Sequence, residues 1–193
     1  MRVPTKRIYP VFILLTLLAT SRAYGDYGIA PEITTNIRLN KQYSVTMKVE
    51  SFHFLYTGLA GWGYDSDRTE AQLFANYRLG PFTRIAVGYM LGIEPEERDF
   101  HRAIQQVSVS QRLGSVTLSH RGRSEQTFYT DEPTKYRIRY RASFEVPLQG
   151  SSLDPREFYL VSSNEILFEI QKAEHEFENR FNFQLGYIFN STY

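Results

Sequence analysis

Period-two alternation runs through most of this chain, and it restricts the fold more than any other feature. In Lys135–Pro147, KYRIRYRASFEVP, the residues Tyr136, Ile138, Tyr140, Ala142, Phe144 and Val146 fall on one side. Arg137, Arg139, Arg141, Ser143 and Glu145 fall on the other. Successive side chains of a strand point to opposite faces, so this segment reads as a strand with one apolar and one charged face. A helix would scatter both classes around its circumference.

The same pattern recurs. Tyr43–Phe54 sets Val45, Met47 and Val49 against Thr46, Lys48 and Glu50, and Thr69–Leu79 sets Leu73 and Tyr77 against Glu70, Gln72 and Arg78. Thr83–Leu91, Phe158–Ile170 and Phe177–Phe189 alternate as plainly. Arg102–Leu113 and Val116–Phe128 alternate less cleanly, and Ile33–Leu39 is shorter. These segments predict an all-β fold of about nine strands, each near the ~10 residues that cross an outer membrane. The 14 Tyr and 14 Phe suit pleated surfaces.

Asn40-Lys41, Gly80-Pro81 and Gly114-Ser115 read as tight turns. Thr57–Arg68, Ile93–Phe100 and Gln149–Glu157 read as long loops. Short turns alternating with long loops predict an up-and-down antiparallel barrel of about ten strands. An odd strand count cannot close such a barrel. Either a strand is unrecognised or the last one lies outside this sequence, and an early strand near Asp26–Pro31 would put the N-terminus at the end that holds the short turns.

The N-terminus has the layout of a cleaved export signal: Arg2, Lys6 and Arg7, then the apolar run Val11–Ala19, then Ser21, Ala23 and Gly25. The run is about half the ~20 residues a spanning helix needs. Cleavage after Ala23 or Gly25 divides the chain into a signal over residues 1–25 and one barrel domain over 26–193. Losing Arg2, Lys6, Arg7 and Arg22, and no acid, takes the 22 basic residues to 18 against 21 acidic ones. That balance gives no basis for nucleic-acid binding. The chain contains no cysteine, which excludes disulfides, Cys-ligated metals and Cys-linked lipid.

The candidate functional residues are charges on the polar faces. Arg137, Arg139 and Arg141 form a ladder, with Arg121 and Arg123 on the preceding strand. Glu125, Glu145, Glu165, Glu169, Glu178 and Arg180 lie on similar faces. A charged lumen that takes an anionic solute would use such a set. So would a salt-bridged plug, and a barrel this narrow favours the plug, because side chains fill small barrels. His53, His101, His120 and His175 show no metal-ligand spacing. Ser119 and His120 are adjacent strand residues, so they face opposite ways and cannot act as nucleophile and base. No cofactor is expected.

The segments SHRGRSEQTF (119–128), YRIRYRASFEVPLQG, REFYLVSSNEILFEI and ENRFNFQLGYIFN resemble the bacterial domain-of-unknown-function family twenty-four-ninety, as do DYGIAPEITTNIRLNKQYSVTMKVESF and ANYRLGPFTRIAVGYMLG. The resemblance spans nearly all of the chain after the signal. It implies an outer-membrane β-barrel of a kind common in Bacteroidetes, usually with one further strand after the LGY segment. It implies no substrate and no catalytic residue. The expected setting is the outer membrane of a Gram-negative bacterium. The expected partners are the lipid bilayer, lipopolysaccharide and, during insertion, the barrel assembly machinery. The leading functional expectation is a small barrel with a charged, occluded lumen, structural or a narrow conduit. The alternatives are a barrel hydrolase acting on lipid and a soluble periplasmic protein binding a hydrophobic ligand. These readings differ in where the aromatics point: outward in a membrane barrel, inward in a carrier.

Overall fold

A computed structural model describes residues 12–20, 26–57, 61–94, 99–130 and 132–189. The candidate cleavage positions Ser21, Ala23 and Gly25 and the basic residues Arg2, Lys6 and Arg7 lie outside them. The described residues form ten strands and no helix: β1 (Phe12–Thr20), β2 (Asp26–Arg38), β3 (Tyr43–Thr57), β4 (Gly61–Arg78), β5 (Thr83–Ile93), β6 (Phe100–Leu113), β7 (Val116–Phe128), β8 (Lys135–Pro147), β9 (Phe158–Gln171) and β10 (Glu174–Tyr187).

Each strand pairs antiparallel with its sequence neighbours, in the order β1 to β10 within one sheet. This is the expected up-and-down topology, and β2–β10 correspond to the nine alternating segments. The sheet is curled but open. Among the described residues no pairing joins β10 to the first strands, so the fold is part of a barrel wall. β2 and β10 run the same way, as the ends of an odd antiparallel series must. The segment Asp26–Pro31 is the first half of β2 and not a separate strand.

The expected alternation of short turns and long loops does not hold. Most of the anticipated loop Thr57–Arg68 is strand: β4 begins at Gly61, and Gly61–Ser66 pairs with β3 through two register shifts. Residues 148–157 form a long connection at the same end as the tight turns at 39–42, 79–82 and 114–115. At the opposite end β9 and β10 are joined by only Lys172 and Ala173, with Lys172 at φ 55°. At the first tight turn the Asn40 carboxamide oxygen accepts from the Gln42 and Tyr43 amides, 2.8 Å each. That local closure is what favours asparagine there.

The two faces differ sharply. The concave face carries Glu125, Glu165 and Ile104 at 1 % exposure, whereas the convex face carries Val87 at 61 % and Phe183 at 72 %. The apolar cluster on the concave side comprises Phe74, Ala86, Met90, Phe100 and Ile104, and Leu167 is buried apart from it. Glycine opposite an aromatic ring makes this cluster compact. Phe74 pairs with Gly88, and Phe100 with Gly92, directly across the ladder. A Cβ on Gly88 would lie 2.4 Å from the Phe74 ring, and one on Gly92 2.2 Å from the Phe100 ring. Tyr159 covers Gly186 in the same way, at 2.2 Å, on the β9–β10 pair.

Candidate functional site: a buried ion-pair network

The register of β7, β8 and β9 determines which charges meet. Arg121 faces Arg141, Arg123 faces Arg139, and Glu125 faces Arg137 across β7–β8. Arg141 faces Glu165 and Arg137 faces Glu169 across β8–β9. Like charges directly opposite each other repel. Here a carboxylate bridges each pair. Oε1 of Glu165 accepts from Arg121 and Arg141 at 3.1 Å each. Oε1 of Glu125 lies 3.4 Å from Arg123 Nη1 and 3.2 Å from Arg139 Nη1. Arg139 links the two centres by also donating to Glu165 at 2.6 Å.

The network extends further along the concave face. Arg102 Nη1 and Arg137 Nη1 each approach Glu125 Oε2 at 3.6 Å. Glu169 accepts from Arg137 and, at 2.9 Å, from Lys135. Arg102 also donates to Thr127 at 2.8 Å, and Arg123 to Gln106 at 2.7 Å. Glu125 therefore holds four arginines and Glu165 three. These carboxylates are buried, and a buried charge left without a partner is strongly unfavourable, so the groups depend on one another.

Of the residues singled out from the sequence, Arg121, Arg123, Glu125, Arg137, Arg139, Arg141, Glu165 and Glu169 come together in this network. Two stand apart. Glu178 pairs with Arg180 of its own strand at 2.5 Å, on the open edge of the sheet. Glu145 lies on the concave face opposite Thr117 and Val161, beyond the arginines, and makes no ion pair among the described residues. Sequence reading missed Arg102 and Lys135. Arg102 lies on β6, where Phe100 and Ile104 share the concave face and blur the alternation. Lys135 is the first residue of β8.

The histidines lie on the convex face. His53, His101 and His120 each hydrogen-bond a tyrosine hydroxyl of the neighbouring strand: Tyr64 at 2.9 Å, Tyr89 at 3.0 Å and Tyr140 at 2.7 Å. His175 stacks on Phe168, with centroids 6.0 Å apart. Among the described residues no three metal-ligating side chains converge. Ser119 bonds Ser110 at 2.7 Å on the concave side, away from His120.

A profile of the family described as "Protein of unknown function (DUF2490)" matches residues 31–193. The chain belongs to this family. The match covers β3–β10, most of β2 and every residue of the ion-pair network. No curated protein and no solved structure matches the chain.

Proposed function

We propose that this DUF2490 protein is a small outer-membrane β-barrel whose interior is closed by its own ion pairs, with a structural role and not that of an open pore. One observation carries the reading: the polarity of the sheet is inverted relative to a water-soluble protein. Its concave face is charged and buried, and its convex face presents Leu73, Val87, Tyr136, Ile138, Tyr140, Phe181 and Phe183, all exposed. An apolar face of that extent does not persist in water, because it would drive association. Lipid is the solvent that suits it, and an antiparallel wall satisfies the backbone within lipid once closed.

The outward aromatics also count against a soluble carrier, which would need an apolar interior. In the mature protein the sheet would begin at β2, because β1 coincides with the apolar core of the export signal. Seven cations held by Glu125, Glu165 and Glu169 occupy the space a solute would use, which supports a plug.

Planar-bilayer recording of the refolded protein tests the proposal. Little or no single-channel conductance is expected. A large, stable, anion-selective conductance that falls in Arg139→Gln would replace the plug with a pore.

A further inference from the structure

Three arginine pairs face each other directly across this sheet: Arg121 with Arg141, Arg123 with Arg139, and Arg78 with Arg84. Carboxylates bridge the first two. The third lies on the concave face at the tight-turn end of β4 and β5, and among the described residues no carboxylate pairs with either member. Arg38, at the end of β2, adds a third guanidinium within electrostatic reach of Arg84. Together with Lys41, Gln42 and Ser44 these arginines line a pocket of about 100 Å³, and no aspartate or glutamate lines it. That volume holds several waters and so admits a tetrahedral oxyanion.

We propose that this rim pocket binds phosphate, either as a free phosphate group or as the headgroup of a lipid at the membrane surface. Opposed like charges cost stability unless an anion lies between them. Elsewhere in the same sheet the chain supplies that anion, and here it lines the pocket with no carboxylate. Guanidinium forks match the geometry of phosphate oxygens, and the Lys41 ammonium adds a point charge. All three arginines and Lys41 are exposed, so the pocket is open to a ligand. The site holds whether the interior is a plug or a pore, so its test is separate from the conductance measurement.

The test is thermal unfolding of the protein in maltoside micelles, which carry no phosphate. The additions are inorganic phosphate, phosphatidylglycerol doped into the micelles, and sodium chloride at matched ionic strength. Saturating ligand is expected to raise Tm by about 5 °C. R84Q should lose that rise and, at low salt without ligand, should melt slightly above wild type because one repulsion is gone. That gain also shows that the variant folds. R180Q, at the far sheet edge, should keep the full ligand response. A rise with inorganic phosphate assigns a soluble source, and a rise with phosphatidylglycerol alone assigns a lipid headgroup. No rise with either, an equal rise with chloride, or a rise that survives in R84Q would overturn the proposal.

Discussion

Replacing Glu125 by glutamine removes one negative charge from the centre of the network with almost no change in shape. Four guanidinium groups lie within 3.6 Å of this carboxylate, whose side chain has no exposure to solvent. Breaking a buried pair costs about 3–5 kcal/mol, because the partner charge is left uncompensated. Here each arginine keeps a second acceptor: Thr127 for Arg102, Gln106 for Arg123, Glu169 for Arg137 and Glu165 for Arg139. The expected loss for Glu125→Gln is therefore near the lower end, about 3 kcal/mol. Glu178→Gln is the reference, because that carboxylate and Arg180 are 38 % and 43 % exposed. A solvated pair contributes at most about 1 kcal/mol. Urea unfolding in phospholipid vesicles, followed by far-UV circular dichroism, measures both variants against wild type. Equal midpoints for Glu125→Gln and Glu178→Gln would refute the claim that the interior charges are interdependent.

Gly88→Ala should destabilise by about 1–3 kcal/mol, since its Cβ has no room beneath Phe74. Gly122→Ala, whose nearest contact would be Val107 at 3.4 Å, should be nearly neutral in the same unfolding assay. On the convex face, Tyr140→Lys or Phe183→Lys should cost about 2–4 kcal/mol near the bilayer midplane. Gln184→Lys, on the concave face, should be much milder; heat-modifiable gel mobility lost in Gln184→Lys but kept in the first two would invert the assignment of faces. Mass spectrometry of the exported protein should place its N-terminus between Tyr24 and Tyr27, and retention of Met1–Arg22 would sink the export reading.

The strands that sequence reading located best are those whose two faces meet different surroundings. β8 ends where the alternation predicts, at Lys135–Pro147, and β9, Phe158–Gln171, runs one residue beyond its predicted span. Alternation carries less information where both faces are similar. Gly61–Ser66 reads as loop from its glycines and aspartate, yet it is strand, with Trp62 and Tyr64 both strongly exposed. The Lys172-Ala173 turn has no glycine, proline or asparagine to announce it, and Lys172 adopts the left-handed conformation itself. The ion-pair network was legible as a set of like-facing charges but not as a list of partners. Partners depend on register, which places Glu165 beside Arg141 and leaves Glu145 opposite Thr117.

The rings that lie over glycine bear on how that register is chosen. Sliding one strand by a single residue turns its apolar side chains toward the wrong face, so alternation alone forbids that error. Sliding by two residues returns every side chain to its proper face, and alternation cannot detect it. The ring–glycine pairs can. A two-residue slip between β4 and β5 would set Phe74 against Ala86 or Met90. Between β5 and β6 it would set Phe100 against Met90 or Glu94, and between β9 and β10 it would set Tyr159 against Gln184 or Ile188. Each misplaced ring meets a side chain where it needs a bare backbone. Three hairpins thus each carry a local test that rejects the slips their hydrophobic pattern would accept.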